Sequence, residues 1–268
     1  MSPDAAYRAA DSPCAAVLGH VGELYGASYD FRCNRAKPCF TYMIATTQRS
    51  GSTLLAMQLW RTGGMGAPLE YLRKGNVETL AERIGVTDPG GYWRGLQSLR
   101  TSPNGVFGFK AFASQIKDCG RSMPEVLSTC LPPDRIVYLE REDKDRQAIS
   151  LARATRTDEW TSAATPAVVR FERSLIDGCR RYIDRQEIAW FRYFDRVKLT
   201  PVRVTYEALV ENPESMILPI AATMGVDLTH CVPVELPELR KQGDDSSEDW
   251  VRILRDSVRT DTPAEDAP

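Results

Sequence analysis

Residues 39–62 run CFTYMIATTQRSGSTLLAMQLWRT, and this stretch carries the clearest indication of the fold class. Its first nine residues are mostly apolar and β-prone between polar flanks, which predicts a buried strand over 39–47. The polar run 48–53 follows, and the leucines and Trp60 behind it have the spacing of a helix that packs on a sheet. Gly63 and Gly64 come next and predict the end of that helix. The stretch is therefore interpreted as a strand, a polar turn and a helix.

Further strand and helix patterns follow this unit in alternation. Strands are predicted at 105–112 after a Pro-Asn-Gly turn, at 135–141 after two prolines, and at 202–209. Helices are predicted at 143–156, within 166–196 as one long or two joined amphipathic helices, after Pro213, and at 246–258. Strands that alternate with helices form mostly parallel sheets covered on both faces. The sequence therefore predicts an α/β fold with a mostly parallel central sheet flanked by helices.

A single domain accounts for most of the 268 residues. Residues 1–38 show no sustained period and are expected to form a variable lead-in to this domain. The domain itself is expected to span residues 39–258, because the alternating pattern covers this range without a linker-like break. Residues 259–268 are expected to be a flexible tail.

Composition argues against several classes of function. The 34 Lys and Arg residues against 36 Asp and Glu residues leave a net charge of −2, whereas nucleic-acid-binding domains are usually basic. No window approaches the roughly 20 consecutive apolar residues of a membrane span, and the N-terminus lacks the pattern of a secretion signal. Two histidines and seven scattered cysteines without a C-x-x-C pair predict no metal site. We therefore expect a cytoplasmic enzyme that binds neither metal nor nucleic acid.

The polar turn at 48–53 has the composition of an anion-binding site. It lies between the carboxyl end of a predicted strand and the N-terminus of a helix, where free N–H groups attract negative charge. Gly51 lets the backbone approach an oxyanion closely, and Arg49 adds a forked cation that suits phosphate or sulfonate. Hydroxyl donors come from Ser50, Ser52 and Thr53. The alternative interpretation is a capped helix after a surface turn, without a ligand.

Arg141 ends the third predicted strand and is better placed to hold a second anion than a metal, although Glu140 before it leaves a metal site as an open alternative. The sequence contains no G-x-x-x-x-G-K-[ST] loop, and this strand does not end in the aspartate that holds Mg²⁺ in P-loop NTPases. Two anion sites at neighbouring strand ends predict a ligand with separated phosphates. An ATP-dependent small-molecule kinase with an atypical phosphate loop and a non-catalytic nucleotide-binding module are both open alternatives.

Six sequence blocks in unbroken order resemble one known family. The run TQRSGSTLL (47–55) looks like the phosphosulfate-binding loop of sulfotransferases that use 3′-phosphoadenosine 5′-phosphosulfate (PAPS). The resemblance is to the bacterial trehalose 2-sulfotransferase family, and it extends through GAPLEYL (66–72), NGVFGFK (104–110), REDKDRQAIS (141–150), VTYEALVENP (204–213) and RKQGDDSSEDW (240–250).

This resemblance implies a P-loop-like three-layer sandwich that uses PAPS and no metal. The loop residues implied to surround the 5′-phosphosulfate are Gln48, Arg49, Ser50, Gly51, Ser52 and Thr53. Arg49 would also neutralise charge that grows on the leaving phosphate. Arg141 and Ser150 match the residues that hold the 3′-phosphate in relatives. Tyr206 matches a position near the adenine, and Lys241 matches a basic segment that closes over the nucleotide.

The resemblance further implies transfer of the sulfonate to a hydroxyl of a carbohydrate or glycolipid, trehalose-like in the leading case, by a possible homodimer. Glu70 matches the glutamate implied to be the general base, and a carboxylate can fill that role if burial raises its pKa towards the working pH. The alternative interpretation is an acid at a helix start, stabilised by the helix dipole. Lys110 is expected to face the cleft and contact the substrate or the transferring group, because an unpaired inward ammonium is costly. Trp160 is expected to offer a ring face to a sugar, with a core or dimer contact as the alternative.

Overall fold

Four parallel strands form the central sheet of the computed structural model, which describes residues 22–31, 37–118, 123–130, 132–157, 170–239 and 245–260. The strands are β1 (Phe40–Thr46), β2 (Val106–Phe112), β3 (Arg135–Glu140) and β4 (Val202–Thr205). Their order in the sheet is β2-β1-β3-β4, and each neighbouring pair is parallel. The predicted α/β fold with a parallel sheet is confirmed.

Helices surround the sheet along the whole described chain. They are α1 (Ser52–Arg61), α2 (Lys74–Ile84), α3 (Pro89–Arg100), α4 (Ala113–Asp118), α5 (Met123–Cys130), α6 (Lys144–Thr157), α7 (Arg173–Val197), α8 (Tyr206–Glu211), α9 (Pro213–Thr223) and α10 (Asp245–Thr260). The described part of the predicted 166–196 segment is one helix, α7, and α10 extends past the predicted domain end at 258. Helices α2 to α5 are not apparent from the sequence pattern. Among the described residues, no helix is both long enough and apolar enough to cross a membrane.

Alternate residues of β1 face opposite sides of the sheet, and each side has its own hydrophobic core. Met43 and Ala45 belong to a core that also contains Trp190 of α7. Tyr42 and Ile44 belong to a second core, built with α1, α8 and α9. Helices therefore cover both faces, which is the three-layer arrangement predicted from the sequence.

The strand order creates a crevice at the carboxyl ends of β1 and β3. The chain passes from β1 to β2 on one side and then crosses to β3 on the other side of β1. In open parallel sheets, ligands bind at such a reversal, outside the carboxyl ends of the two strands. The turn after β1 and Arg141 after β3 both lie at this edge of the sheet.

Strand β4 is shorter than the predicted strand 202–209. The Oγ1 of Thr205 accepts a hydrogen bond from the backbone N–H of Ala208 (3.2 Å), which caps helix α8. A side-chain cap of this kind satisfies a backbone donor that has no partner within the helix. Tyr206 therefore begins a helix at the mouth of the crevice rather than continuing a strand.

Residues 22–31 pack on the domain, so the fold begins before the boundary predicted at residue 39. Leu24 is fully buried, and its carbonyl accepts a hydrogen bond from Nη1 of Arg100 (3.0 Å). The side chain of Arg100 is itself fully buried, and its Nε lies 3.2 Å from a carboxylate oxygen of Asp30. A buried guanidinium needs such partners, which ties this segment to α3.

Gly63 ends α1 as predicted, and the structure gives a second reason for a glycine there. Its φ is 70°, in the left-handed region. A Cβ on Gly63 would lie 1.8 Å from the carbonyl oxygen of Val232. The backbone of Val234 then donates to the carbonyl of Arg61 (2.9 Å), so the segment after α9 crosses directly over the end of α1. A side chain at position 63 would block this crossing.

Candidate active site

The backbone of the turn after β1 is sharply bent. Arg49 has a φ of 61° and Gly51 a φ of 82°, both in the left-handed region. This conformation is unstrained for glycine but costs a residue with a Cβ about 1–3 kcal/mol. A Cβ on Gly51 would also lie 2.3 Å from Cδ2 of Tyr206, so only glycine fits beside that ring. Strain at a non-glycine residue such as Arg49 is typical of functional loops.

The Ser50 hydroxyl fastens the turn to the sheet. Ser50 is fully buried, and its Oγ lies 2.6 Å from Oγ1 of Thr46. Thr46 in turn donates from Oγ1 to the carbonyl of Leu139 on β3 (2.8 Å). The hydroxyl predicted to face an anion therefore points into the protein, which leaves the backbone of Ser50 to contact a ligand.

Two glutamines hold the first half of the turn. Gln147 of α6 is fully buried, and its Nε2 donates to Oγ1 of Thr47 (2.8 Å) and to the carbonyl of Gln48 (2.7 Å). The Nε2 of Gln48 donates to Oγ of Ser114 and to Oη of Tyr182, each at 3.3 Å. The side chain of Gln48 thus connects the turn to α4 and α7.

Four of the predicted nucleotide-binding residues meet in a cationic cluster between the turn and β3. Arg49 donates from Nε to Oγ of Ser150 on α6 (2.8 Å). Arg141 donates from Nη1 to the carbonyl of Arg49 (3.3 Å), and its guanidinium carbon lies 4.6 Å from the ring centroid of Tyr206. A cation over an aromatic face at this distance is stabilised by the ring quadrupole. Arg49 therefore links the turn to Ser150, one of the two residues predicted to hold the 3′-phosphate.

The surroundings of Arg141 suit a bound anion. Burial lowers the pKa of its guanidinium, while Tyr206 and the carboxylates of Glu207 and Asp143 oppose that effect. Glu207 also accepts the backbone N–H groups of Glu142 (3.0 Å) and Asp143 (3.2 Å). The Nε of Arg141 is buried and has no hydrogen-bond partner within the described part of the chain. An arginine stays protonated under these conditions, so Nε of Arg141 offers a charged donor that has no acceptor among the described residues.

Lys110 lies on the same side of the sheet as the start of α1. Because strand side chains alternate, Phe109 and Ala111 face the α7 side and Lys110 faces the other. Its side chain is 3% exposed, and its Nζ lies 3.0 Å from Oε1 of Glu70 and 3.2 Å from Oγ1 of Thr53. The ammonium therefore has the partner that its burial requires, and it joins the turn's helix to Glu70.

Glu70 lies on a segment that runs beside β2, and four groups hold it. The backbone N–H of Lys110 donates to the carbonyl of Leu69 (2.9 Å), which aligns the segment with the strand. Gln115 of α4 donates from Nε2 to Oε2 of Glu70 (3.0 Å). The N–H of Glu70 donates to Oη of Tyr25 (3.2 Å). Asn76 donates from Nδ2 to the carbonyl of Glu70 (2.8 Å). Backbone and carboxylate are therefore both fixed.

The net change in the pKa of Glu70 is downward, opposite to the rise that would suit a tuned general base. Burial does raise it, but the charge of Lys110, its hydrogen bond, the charge of Arg73 and the hydrogen bond from Gln115 together hold the pKa of Glu70 below its ordinary value. Opposite charges and donors to the ionised form outweigh desolvation here. Glu70 is consequently an ionised carboxylate at neutral pH.

The remaining predicted site residues fall into two groups. Ser52 and Thr53 form the first turn of α1, where Ser52 is buried and Thr53 contacts Lys110. Trp160 and Lys241 lie outside the described residues, so their predicted contacts with sugar and nucleotide stay predictions.

Three residues that contribute to this site are absent from the sequence-based predictions: Tyr25, Gln115 and Gln147. Tyr25 lies in the segment interpreted as a lead-in, and Gln115 follows β2 in a stretch without a recognisable motif. Gln147 does fall inside the block 141–150, but its buried amide could not be recognised from the sequence, where it stands beside Ala148 and Ile149 as one polar residue among many.

Two further features bear on ligand binding. Among the described ranges, no group of three or more His, Cys, Asp or Glu residues is arranged to hold a metal ion. A cavity of about 400 Å³ lies at the opposite edge of the sheet, lined by Pro132 and Pro133 before β3 and by Val197 and Leu199 before β4. It shares no lining residue with the cationic cluster or with Glu70.

Comparison with known families gives one match over most of the chain. The Stf0 sulphotransferase family matches residues 41–257. The trehalose 2-sulfotransferase of Mycolicibacterium smegmatis is 27% identical over 262 residues, covering 83% of this chain and 97% of that protein. The trehalose 2-sulfotransferase of Mycobacterium tuberculosis is 27% identical over 263 residues, covering 83% of this chain and 95% of that protein.

Solved structures of similar proteins include a sulfotransferase from Alicyclobacillus acidocaldarius. It is 14% identical, with a TM-score of 0.42 over 84% of this chain and 94% of that one. The sulfotransferase domain of a Synechococcus olefin synthase is 17% identical, with a TM-score of 0.41 over 88% and 92%.

Proposed function

The chain belongs to the Stf0 sulphotransferase family, and we propose that it transfers a sulfonate from PAPS to a hydroxyl of a carbohydrate or glycolipid, trehalose-like in the leading case. Two relatives named trehalose 2-sulfotransferase support a sugar acceptor. The donor, the base and the identity of the sugar are parts of this proposal.

The cationic cluster has the chemistry that the donor requires. PAPS carries a 3′-phosphate and a 5′-phosphosulfate, and it supplies an activated sulfonate. Arg141 and Ser150 would hold the 3′-phosphate, and the Nε of Arg141 has a free donor position for it. The backbone of the turn and Arg49 would hold the 5′ side at the N-terminus of α1. The stacked ring of Tyr206 would lie near the adenine.

Glu70 would act as the general base. In the proposed step, the acceptor hydroxyl gives its proton to a carboxylate oxygen of Glu70 while its oxygen forms a bond to sulfur. The bond between sulfur and the phosphate oxygen breaks, and its electron pair leaves with adenosine 3′,5′-bisphosphate (PAP). Because its pKa is held low, Glu70 is in the ionised form that a general base requires throughout the neutral range.

A single observation carries this proposal: the ammonium of Lys110 contacts both Thr53, at the start of α1, and Glu70. It places a buried positive charge between the phosphate-binding turn and the proposed base. Negative charge develops between these two points during sulfonate transfer, and a fixed cation stabilises such charge most when water is excluded.

The direct test is incubation of the purified protein with radiolabelled PAPS and a panel that contains trehalose, other sugars and glycolipids. We expect a sulfated sugar, and at least about 100-fold slower turnover in Glu70→Gln with PAP still bound. Glu78→Gln, an exposed residue on α2, is the matched control and should keep full activity.

Other outcomes of this test would favour other functions. Transfer from ATP with Mg²⁺ and none from PAPS would support a kinase. Nucleotide binding without transfer to any acceptor would support a non-catalytic module. Full activity in Glu70→Gln would remove the proposed base. We further propose a cytoplasmic homodimer, as the family resemblance implies, to be checked by cell fractionation and light scattering.

A further inference from the structure

Among the described residues, the carboxylate of Glu70 receives one hydrogen bond or ion contact on each oxygen. Lys110 contacts Oε1 at 3.0 Å, and Gln115 donates to Oε2 at 3.0 Å. A carboxylate oxygen has two lone pairs, so each oxygen keeps one for a further donor such as an acceptor hydroxyl. Contacts from two directions fix the plane of the carboxylate, which a single contact would leave free to rotate.

The amide of Gln115 is itself held in one orientation. Its Oε1 accepts a hydrogen bond from the backbone N–H of Phe112 (3.3 Å), and the side chain is buried. Since a carboxylate only accepts and a backbone N–H only donates, these two partners fix which end of the amide faces Glu70. Gln115 therefore presents a donor to the carboxylate and cannot flip without losing both bonds.

Ser114, next to Gln115 on α4, connects this helix to the turn after β1. Ser114 accepts from Nε2 of Gln48 (3.3 Å), and its backbone N–H donates to Oε1 of Gln186 on α7 (2.8 Å). Adjacent residues of α4 thus contact the turn after β1 and the carboxylate of Glu70. Helix α4 therefore fixes the position of the Glu70 carboxylate relative to the turn after β1.

We propose that Gln115 is a positioning residue that orients the Glu70 carboxylate toward the acceptor hydroxyl. The inference rests on the proposed function, in which Glu70 is the base. Besides Gln115, the charged or titratable groups that face Glu70 are Lys110 from β2, Arg73 at the start of α2, and Tyr25 from the N-terminal segment.

Two variants of Gln115 separate this role from a merely structural one. Gln115→Met keeps the length of the side chain but has no donor, and Gln115→Glu keeps an acceptor for Phe112 while replacing the donor. We expect kcat to fall about 10- to 100-fold in Gln115→Met with KM for PAPS unchanged, because a misoriented base loses this much. Both variants lose a donor to the ionised form of Glu70, and Gln115→Glu adds a like charge, so the pKa of Glu70 should rise. The acid limb of the pH profile, where kcat/KM falls as Glu70 becomes protonated, should therefore move to higher pH in both variants.

Gln186→Met is the matched control. It removes a buried amide that accepts a backbone N–H on the same helix turn but does not contact Glu70. If Gln115 only supports packing, both methionine variants should change stability alike and leave the acid limb where the wild type has it.

A readout that needs no activity is the carbon-13 titration of the Glu70 carboxyl by NMR, assigned with Glu70→Gln. The inference predicts that its midpoint rises in both Gln115 variants and not in Gln186→Met. An unmoved midpoint and an unmoved acid limb in folded Gln115→Met and Gln115→Glu would overturn it. Absence of any transfer from PAPS by the wild type would instead overturn the proposed function, while the titration would still decide the role of Gln115.

Discussion

Replacing Lys110 by Met removes the buried charge that the structure pairs with Glu70. The methionine side chain has a similar length and fills the same space, so the change is mainly electrostatic. The Lys110 side chain is 3% exposed and that of Glu70 is 20% exposed, with 3.0 Å between the charged atoms. In Lys110→Met the carboxylate keeps Gln115 and the more distant Arg73 but loses its strongest partner.

The size of the effect follows from this geometry. At an effective dielectric constant of about 20, two unit charges this far apart attract by about 5 kcal/mol before desolvation is subtracted. Removing one partner of a buried pair costs about 3–5 kcal/mol, and the partial exposure of Glu70 places the expected loss near the lower figure. The double variant Lys110→Met/Glu70→Gln buries no unpaired charge. Its loss of unfolding free energy should therefore be smaller than the sum of the two single losses by about 2–3 kcal/mol.

Urea unfolding of the wild type, both single variants and the double variant measures this coupling. Because the pKa of Glu70 is lowered in the folded protein, the ion pair stabilises the fold at pH values above the ordinary carboxyl pKa. This stabilisation is lost as the pH falls through the lowered pKa of the folded protein. The wild type therefore changes little between about pH 7.5 and pH 5, whereas in Lys110→Met the unpaired carboxylate takes up a proton as the pH falls, so the loss should be smaller at about pH 5. Additivity of the two single changes within about 0.5 kcal/mol would refute the reasoning.

Three further substitutions probe the rest of the site. Gly51→Ala should destabilise the protein by about 1–3 kcal/mol and abolish PAP binding, because a Cβ at a φ of 82° collides with Tyr206; an unchanged urea midpoint would contradict this. Arg141→Lys should weaken PAP binding by about tenfold or more, since an ammonium lacks the planar fork, and equal affinity by calorimetry would argue against a phosphate contact. Tyr25→Phe should cost about 1–2 kcal/mol and lower kcat without changing KM for PAPS, because the Glu70 N–H loses its acceptor; steady-state kinetics identical to the wild type would count against that role.

The sheet and the turn after β1 could be predicted because their signals are local. An apolar run, a Gly-containing polar turn and a periodic helix are contiguous in residues 39–62, and each has its own physical signature. The error at 202–209 has the same origin, because Thr205 and Tyr206 are β-prone residues whose fate depends on a side-chain cap.

The environment of Glu70 could not be predicted, since its partners come from distant parts of the chain. Tyr25 and Gln115 are each 45 positions away from Glu70, on either side, and no pattern links them. The direction of the pKa change depends on whether Lys110 or desolvation has the larger effect, and that balance is a matter of tertiary distances. Arg49 and Ser150, 101 positions apart, meet for the same reason.

Calorimetric titration of the folded protein with PAP, beside 5′-AMP and with Arg49→Ala as the comparison variant, tests whether the turn after β1 binds an anion. We expect one site that binds PAP, at least about tenfold weaker binding of 5′-AMP for want of a 3′-phosphate, and a similar loss in Arg49→Ala. Absence of heat with PAP in well-folded protein, together with saturation of the same crevice by an unrelated ligand, would contradict the proposal that this turn holds a sulfated nucleotide.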